Sequence, residues 1–179
     1  MVLIHIDGSI ADYELGLLTR ILALLDVELS RVSAAIDESC DPESDGLCDL
    51  GEFLIGSGFV AMQRYINTIR ADFGLSKKSY NNPPMLNINI SVVGAINALS
   101  NYWKHCADWD KRERDGGNPA TENGSADTIK SLEYLGDLGD YPCANALALM
   151  LPGQSLELSN TLKFLTEWRD GLWAERQHQ

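Results

Sequence analysis

The sequence predicts an all-α protein, an up-and-down bundle of four long helices with two short helices, in a single helical-bundle domain over residues 1–179. Three observations predict this class. Apolar residues recur every three or four positions along four long segments, as on one face of a helix. Strand-like segments are few and short, Leu3–Ile6 and residues 86–90. Short polar turns join long neighbouring helices, which favours antiparallel packing.

The ends of these helices carry recognisable signals. Ser9 and Asp12 have the spacing of a capping box just before the first apolar stripe, and Pro42 ends that stripe by removing a backbone donor. Gly74 has the residue type favoured just after a helix C-terminus. The predicted long helices are 9–38, 49–73, 90–112 and 156–176, and the predicted short helices are 127–138 and 143–151.

Three glycines lie in the first half of the second predicted helix and weaken it intrinsically. They allow either a ligand or a partner to approach the backbone closely, or a neighbouring helix to pack tightly, and we favour tight packing. The three are Gly51, Gly56 and Gly58.

The charge of the chain limits its partners. The formal net charge is −12 and the pI is near 4.5, which disfavours duplex DNA because that binding depends on neutralising phosphates. A small local basic patch could still contact RNA. No apolar run reaches the roughly 18 residues of a membrane span, and the N-terminus does not resemble a signal peptide. We therefore expect a cytoplasmic protein with no membrane partner.

The sequence contains no signature of a cofactor or a metal site. It lacks the glycine-rich phosphate loops, the zinc-protease motif and the nucleophile elbow, so no cofactor is expected. The acidic turn at residues 37–52 lacks the ligand spacing of a calcium loop. In a reducing cytosol, the cysteines are expected to be free thiols, and no metal is assigned to them. They are Cys40, Cys48, Cys106 and Cys143.

The third predicted helix carries the most chemically suggestive cluster. Helical spacing places Asn101, His105 and Trp109 one turn apart on one face. In one interpretation, His105 is a general acid/base, Asn101 orients its imidazole and Lys104 stabilises phosphate charge. Trp109, Arg112 and Arg64 are then candidate binding residues. In the alternative interpretation, His105 is a surface histidine held by a neighbouring polar side chain.

The run Asn101-x-x-Lys104-His105, late on a long bundle helix, resembles the HEPN superfamily. Its members are small helical bundles, often homodimeric, from bacterial toxin–antitoxin and defence systems. Active members are metal-independent ribonucleases whose motif is an arginine, a polar residue and, a few positions on, a histidine. The resemblance assigns the polar residue to Asn101 and the histidine to His105. The motif arginine is missing here, since Leu99 and Ser100 occupy its place.

This resemblance implies a homodimeric HEPN-like protein linked to RNA metabolism, toxin–antitoxin systems or defence, with a degenerate ribonuclease site. In a dimer, Arg64, Arg70 or Arg112 could replace the missing arginine. The alternative is a non-enzymatic scaffold that binds a protein partner through the first or last helix. The missing arginine and the acidic charge favour this alternative.

Overall fold

The computed structural model describes residues 3–6, 9–118 and 125–177, with backbone only for residues 3–6, 9, 10 and 112. Long α-helices dominate it, which confirms the predicted all-α bundle, and a two-stranded hairpin precedes them. The elements in chain order are β1 (Leu3–Ile6), β2 (Ser9–Asp12), α1 (Tyr13–Glu38), α2 (Leu47–Phe73), α3 (Val92–Arg114), α4 (Ser125–Glu133), α5 (Pro142–Met150) and α6 (Leu162–Gln177).

The first helix begins four residues later than predicted. Ser9–Asp12 is strand β2, which pairs antiparallel with β1 so that Ser9 lies opposite Ile6. The Asp12 side chain caps α1 instead, because its Oδ1 accepts the N–H of Leu15 at 2.9 Å. The prediction that Ser9 begins the helix is therefore wrong, whereas the short strand predicted at Leu3–Ile6 is confirmed.

The helices α1, α2 and α3 pack in chain order, α2 between the other two, and one core unites them with α5 and α6. Tight packing explains two of the α2 glycines. A Cβ on Gly56 would lie 2.3 Å from the Trp103 ring, and a Cβ on Gly58 would lie 2.6 Å from a Leu158 methyl group. Side chains at these positions would push Trp103 of α3, and Leu158 just before α6, away from α2.

The connection between α2 and α3 contains a short 3-10 helix, Lys77–Asn81, and a cis Pro83-Pro84 peptide. The strand predicted at residues 86–90 is wrong, since only an isolated bridge joins Met85 to Ser91. The Asn87 side-chain oxygen accepts the N–H groups of Asn89 and Ile90. That local turn replaces the backbone pairing that a strand would need.

The last third of the chain also differs from its predicted boundaries. Helix α4 ends at Glu133 rather than at residue 138, and Gly136 adopts a left-handed conformation just beyond it. The closing helix α6 begins at Leu162 rather than at residue 156, because a 3-10 helix, Leu158–Thr161, precedes it. The Asp26 carboxylate on α1 accepts the first two N–H groups of that 3-10 helix. Among the helices of the described residues, none combines the length and the apolar character needed to cross a membrane.

Candidate functional site

A buried glutamine on α2 organises polar side chains along α3. The Gln63 Nε2 group donates to Asn97 Oδ1 at 2.9 Å and to Asn101 Oδ1 at 2.8 Å. Its Oε1 accepts from Ser100 Oγ at 2.9 Å and from Lys104 Nζ at 2.6 Å. These five residues are called the amide network below. Because a buried amide that loses its partners costs about 1–3 kcal/mol, the network fixes the orientation of these α3 side chains.

The arrangement leaves hydrogen-bonding capacity for a ligand. An asparagine side chain has one acceptor oxygen and two N–H donors. Gln63 donates to both asparagine oxygens of the network, and no acceptor among the described residues bonds to either Nδ2 group. Asn97 and Asn101 are each half-buried and line the same cleft. They can therefore present amide donors to a molecule that enters it.

Lys104 adds a positive charge that the described part of the protein does not neutralise. Its ammonium group donates to a neutral amide, and no carboxylate of the described residues lies within 4.0 Å of it. Partial burial lowers the pKa of Lys104 below its ordinary value of 10.5, because the charged form loses hydration. An anion bound beside this group would restore the favourable interactions that the ammonium lost.

The amide network forms one wall of a cleft of about 520 Å³ between α2, α3, α4 and the 3-10 helix at Lys77–Asn81. That volume lies within the range of small-molecule sites. Arg70, Lys77 and Lys104 line the cleft, and Asp127 is its single carboxylate among the described residues. In a protein with a net charge of −12, this excess of cations makes the cleft a local positive site.

Arg70 and Tyr80 form another part of the cleft lining. The Arg70 guanidinium donates to Tyr80 Oη at 2.8 Å and lies 4.6 Å from the centre of that ring. The tyrosine hydroxyl in turn donates to Asn67 Oδ1 at 2.6 Å. These contacts hold the guanidinium charge at the cleft without a carboxylate partner within the described residues. Tyr134, which is 38% exposed, adds a further aromatic ring to the lining.

The structure separates the predicted site residues. Lys104 and Asn101 line the cleft, whereas His105 is exposed and does not line it. Within the described part of the chain no hydrogen bond joins Asn101 to His105, and the Asn101 side-chain oxygen accepts from Gln63 instead. Trp109 packs edge-on against Tyr102, with ring centres 6.1 Å apart, and does not line the cleft.

The candidate arginines differ in their surroundings. The Arg64 guanidinium pairs with Glu14 on α1, and its approach to the His105 of a second copy stays a prediction. The Arg112 side chain lies outside the described residues. The residue that sequence reasoning missed is Gln63, which has no motif of its own. The signal that points to it is the run of polar residues at Asn97, Asn101 and Lys104, which lie on one face of α3.

A second buried polar cluster connects the hairpin to α6. The Asp12 Oδ2 atom accepts from Tyr65 Oη at 2.7 Å and from Arg169 Nη1 at 2.9 Å. The Asp12 and Arg169 side chains are only 2% and 7% exposed. The second carboxylate bonded to Arg169, Asp170, is half-exposed. Because its opposite charges face each other, this cluster offers no free charge to a ligand.

The four cysteines are free thiols. Burial is the largest cause that raises the pKa of Cys143, followed by the neighbouring Glu52 carboxylate, so this thiol is poorly nucleophilic. Across residues 3–6, 9–118 and 125–177, no three His, Cys, Asp or Glu side chains are arranged to hold a metal ion. Comparisons with protein-family models, with curated proteins and with solved structures give no match to this chain.

Proposed function

We propose that this chain is a HEPN-like RNA-binding protein whose cleft between α2, α3 and α4 holds a single-stranded segment of RNA. The observation that carries the proposal is the convergence of three cations and the amide network on one cleft of an acidic protein. The cations would bind phosphate groups, and the amide donors would bind the edges of bases. Duplex DNA, which needs a broad basic surface, fits this cleft less well.

The cleft contains groups suited to each part of a nucleotide. Lys104 and Lys77 can neutralise phosphate oxygens. The Nδ2 groups of Asn97 and Asn101 can donate to acceptors on an unpaired base, whose edges are accessible only when it is not stacked in a duplex. The Tyr134 ring is exposed enough to stack on that base, a contact worth about 1–3 kcal/mol in other proteins.

The same proposal treats the ribonuclease site as degenerate. A nuclease of the HEPN type pairs its histidine with an arginine, and the arginine of that motif is missing here. Arg64, Arg70 and Arg169 are engaged with Glu14, with Tyr80 and with Asp12. His105 is exposed outside the cleft. Binding without efficient cleavage is the activity that this arrangement favours.

The experiment is fluorescence anisotropy with a labelled, unstructured RNA of about twelve nucleotides, titrated at several salt concentrations. Lys104→Ala should weaken binding about tenfold, as expected for a charge-assisted contact. It should also reduce the slope of log K against log salt by about 0.7, which corresponds to one phosphate contact on a single strand.

Lys163→Ala is the matched control, because Lys163 also donates to a glutamine oxygen, that of Gln154 at 2.9 Å, but lies outside the cleft. Its RNA affinity should equal that of the wild type. The proposal fails if the wild type does not bind RNA, or if the two lysine variants lose affinity equally. Equal binding to duplex DNA of the same length would contradict the preference for single strands.

A second candidate function is a non-enzymatic module that binds protein, as predicted for the first or last helix. Apolar side chains exposed along α1 favour it, notably Leu24 at 69% and Val27 at 54%. It differs from the first candidate in using α1 or α6 instead of the cleft between α2, α3 and α4. The cytoplasmic location and the homodimer remain predictions.

A further inference from the structure

The orientation of the Gln63 amide is fixed by Lys104. An ammonium group has three N–H donors and no acceptor, so the atom 2.6 Å from Lys104 Nζ must be the glutamine oxygen and not its nitrogen. The Nε2 group of Gln63 therefore lies at Asn97 and Asn101, to which it can only donate. One positively charged residue thus determines which end of this buried amide donates and which accepts.

The same constraint passes from Gln63 to the two asparagines. Because Nε2 only donates, the atoms 2.9 and 2.8 Å from it are the side-chain oxygens of Asn97 and Asn101. Each of these oxygens already accepts a hydrogen bond, whereas no acceptor among the described residues bonds to either Nδ2 group. The network therefore offers its ligand an excess of donors.

An excess of donors works against the usual preference of asparagine for adenine. Asparagine binds adenine by accepting from the N6 amino group while it donates to N7. Here the oxygen of each amide is bonded to Gln63, so a base that faces Asn97 and Asn101 must itself present acceptors. Guanine presents two adjacent acceptors, O6 and N7, and unpaired cytosine presents N3 and O2, whereas adenine has an amino group beside N7.

Asp127 adds an acceptor to the same cleft. Its exposed carboxylate lines the cleft from the first turn of α4, and no cationic side chain of the described residues lies within 4.0 Å of it. An ionised carboxylate only accepts hydrogen bonds, so it suits a ligand that carries donors as well as acceptors. A bare phosphate has no such donors. Guanine has two adjacent donors, N1–H and N2–H, whereas cytosine has only its amino group.

We propose that the base in the cleft is guanine, which builds on the RNA-binding function proposed above. The asparagine Nδ2 groups of the amide network donate to O6 and N7, and the Asp127 carboxylate accepts from N1–H and N2–H. Lys104 and Lys77, which line the same cleft, bind the adjoining phosphates. The chemistry recognised is that of a guanine nucleotide, within a single strand of RNA or free in solution.

Fluorescence anisotropy with altered bases tests this recognition. Two unstructured RNAs of about twelve nucleotides, built from repeated UUG and from repeated UUA, differ only in the purine. The UUG strand should bind the wild type about tenfold more tightly, the lower end of what a good pair of base contacts contributes. Replacement of guanine by 7-deazaguanine, which lacks the N7 acceptor, or by inosine, which lacks the N2 donor, should each remove part of the preference.

Asp127→Ala separates base recognition from charge. The ratio of UUG to UUA affinity should fall at least about threefold, since the guanine donors lose their acceptor. Glu133→Ala is the matched control, because it removes an equal charge from the same helix at an exposed position outside the cleft. Its ratio should equal that of the wild type. A general gain in affinity from the lost negative charge affects both strands and cancels in the ratio.

Gln63→Glu provides the sharpest test, because it should turn the two asparagine amides around. A carboxylate at this position only accepts, so Asn97 and Asn101 would donate to it and present their oxygens to the cleft. The preference for guanine should then disappear or pass to adenine. Measurement at low salt keeps the weakened binding of this variant detectable. Gln154→Glu, outside the cleft, should keep the wild-type preference.

The outcomes distinguish guanine recognition from RNA binding. Equal affinity of the wild type for UUG and UUA strands would overturn guanine recognition and leave RNA binding in place. A preference for UUG that both Asp127→Ala and Gln63→Glu leave unchanged would also overturn it. If no RNA binds, the RNA-binding function fails, and calorimetry with GMP and AMP decides: binding of GMP alone supports recognition of a free guanine nucleotide, and any other result overturns it.

Discussion

Two polar clusters lie on opposite sides of α2, and they differ in whether their charges are balanced. The Asp12–Tyr65–Arg169 cluster pairs a carboxylate with a guanidinium deep in the fold. The amide network around Gln63 brings an ammonium against neutral amides at the edge of a cleft. Tyr65 and Gln63 are two residues apart, which places them about 200° apart around the helix. One helix thus supports a closed cluster and an open one.

The difference shows how this acidic chain divides its polar residues between stability and binding. In the closed cluster, the helix cap uses Asp12 Oδ1, and Tyr65 and Arg169 both donate to Asp12 Oδ2. The Asp12 carboxylate therefore offers a ligand no unbonded oxygen. In the open cluster, the fold holds the Lys104 ammonium against a neutral amide, without a carboxylate among the described residues, and desolvation lowers its pKa. A lysine without a carboxylate partner is free to pair with an anion that enters the cleft.

Removal of Asp12 should produce the largest effect, because it breaks the closed cluster. Asp12→Ala leaves the Arg169 charge buried without its main partner, which typically costs about 3–5 kcal/mol. It also removes the α1 cap, which is worth about 1 kcal/mol. Urea unfolding should show the loss. Asp170→Ala is the control: its carboxylate is half-exposed, so the free energy of unfolding should fall by less than about 1 kcal/mol. Equal losses would show that Asp12 is not the principal partner.

Tyr65→Phe should have the next largest effect on stability. It removes a hydrogen bond to a carboxylate, which is worth about 1.5–3 kcal/mol. Burial, followed by the hydrogen bond to Asp12, raises the pKa of Tyr65 above its ordinary value of 10.0. This contribution is therefore complete below about pH 10 and is lost as the pH rises towards the folded-state pKa.

Urea unfolding between pH 8 and 11 should consequently show a shallower alkaline loss in Tyr65→Phe than in the wild type. Part of the loss should remain, because burial also raises the pKa of Tyr102 to about 12. Tyr13→Phe, at a side chain that is 71% exposed, should leave the alkaline slope as it is. An unchanged slope in Tyr65→Phe would contradict the assignment of this titration to the closed cluster.

The open cluster can be converted into a closed one by Gln63→Glu. The new carboxylate would accept from Lys104 and Ser100, and the two asparagine amides could turn to donate to it. We expect the free energy of unfolding to change by less than about 1 kcal/mol, while RNA affinity falls at least about tenfold because the anion site is occupied. Gln154→Glu makes the same change beside Lys163, outside the cleft, and should leave RNA affinity unchanged. An affinity that survives Gln63→Glu would separate RNA binding from this cluster.

The two clusters also show which features a sequence reveals. Apolar periodicity located all six α-helices of the described chain, because burial of a stripe is a local pattern. The predicted start at Ser9 was wrong because a capping box and the end of a hairpin can share the same residue types. The start of α6 was missed because Asp26, far away on α1, stabilises the 3-10 helix that precedes it. No local pattern contains that contact.

Like the helix boundaries, the candidate site could be predicted only in part from the sequence. Asn101 and Lys104 were identified from their helical spacing, and both line the cleft. Their partner Gln63 was not, because one glutamine within the apolar stripe of α2 carries no signal until α2 packs against α3. Lys77 and Arg70 line the cleft from the 3-10 helix at Lys77–Asn81 and from α2, and only the tertiary fold brings them into one cleft with Lys104.

The smallest effect is expected at His105, and it bears on the ribonuclease hypothesis directly. The residue is exposed on α3 and lies outside both clusters. His105→Ala should therefore change neither the free energy of unfolding nor RNA affinity by more than about 0.5 kcal/mol, the usual range for surface positions. Incubation with structured and unstructured RNA in the presence of a chelator tests the catalytic role. If the wild type cleaves RNA and His105→Ala does not, the site is an active nuclease, and the open cluster then positions its substrate.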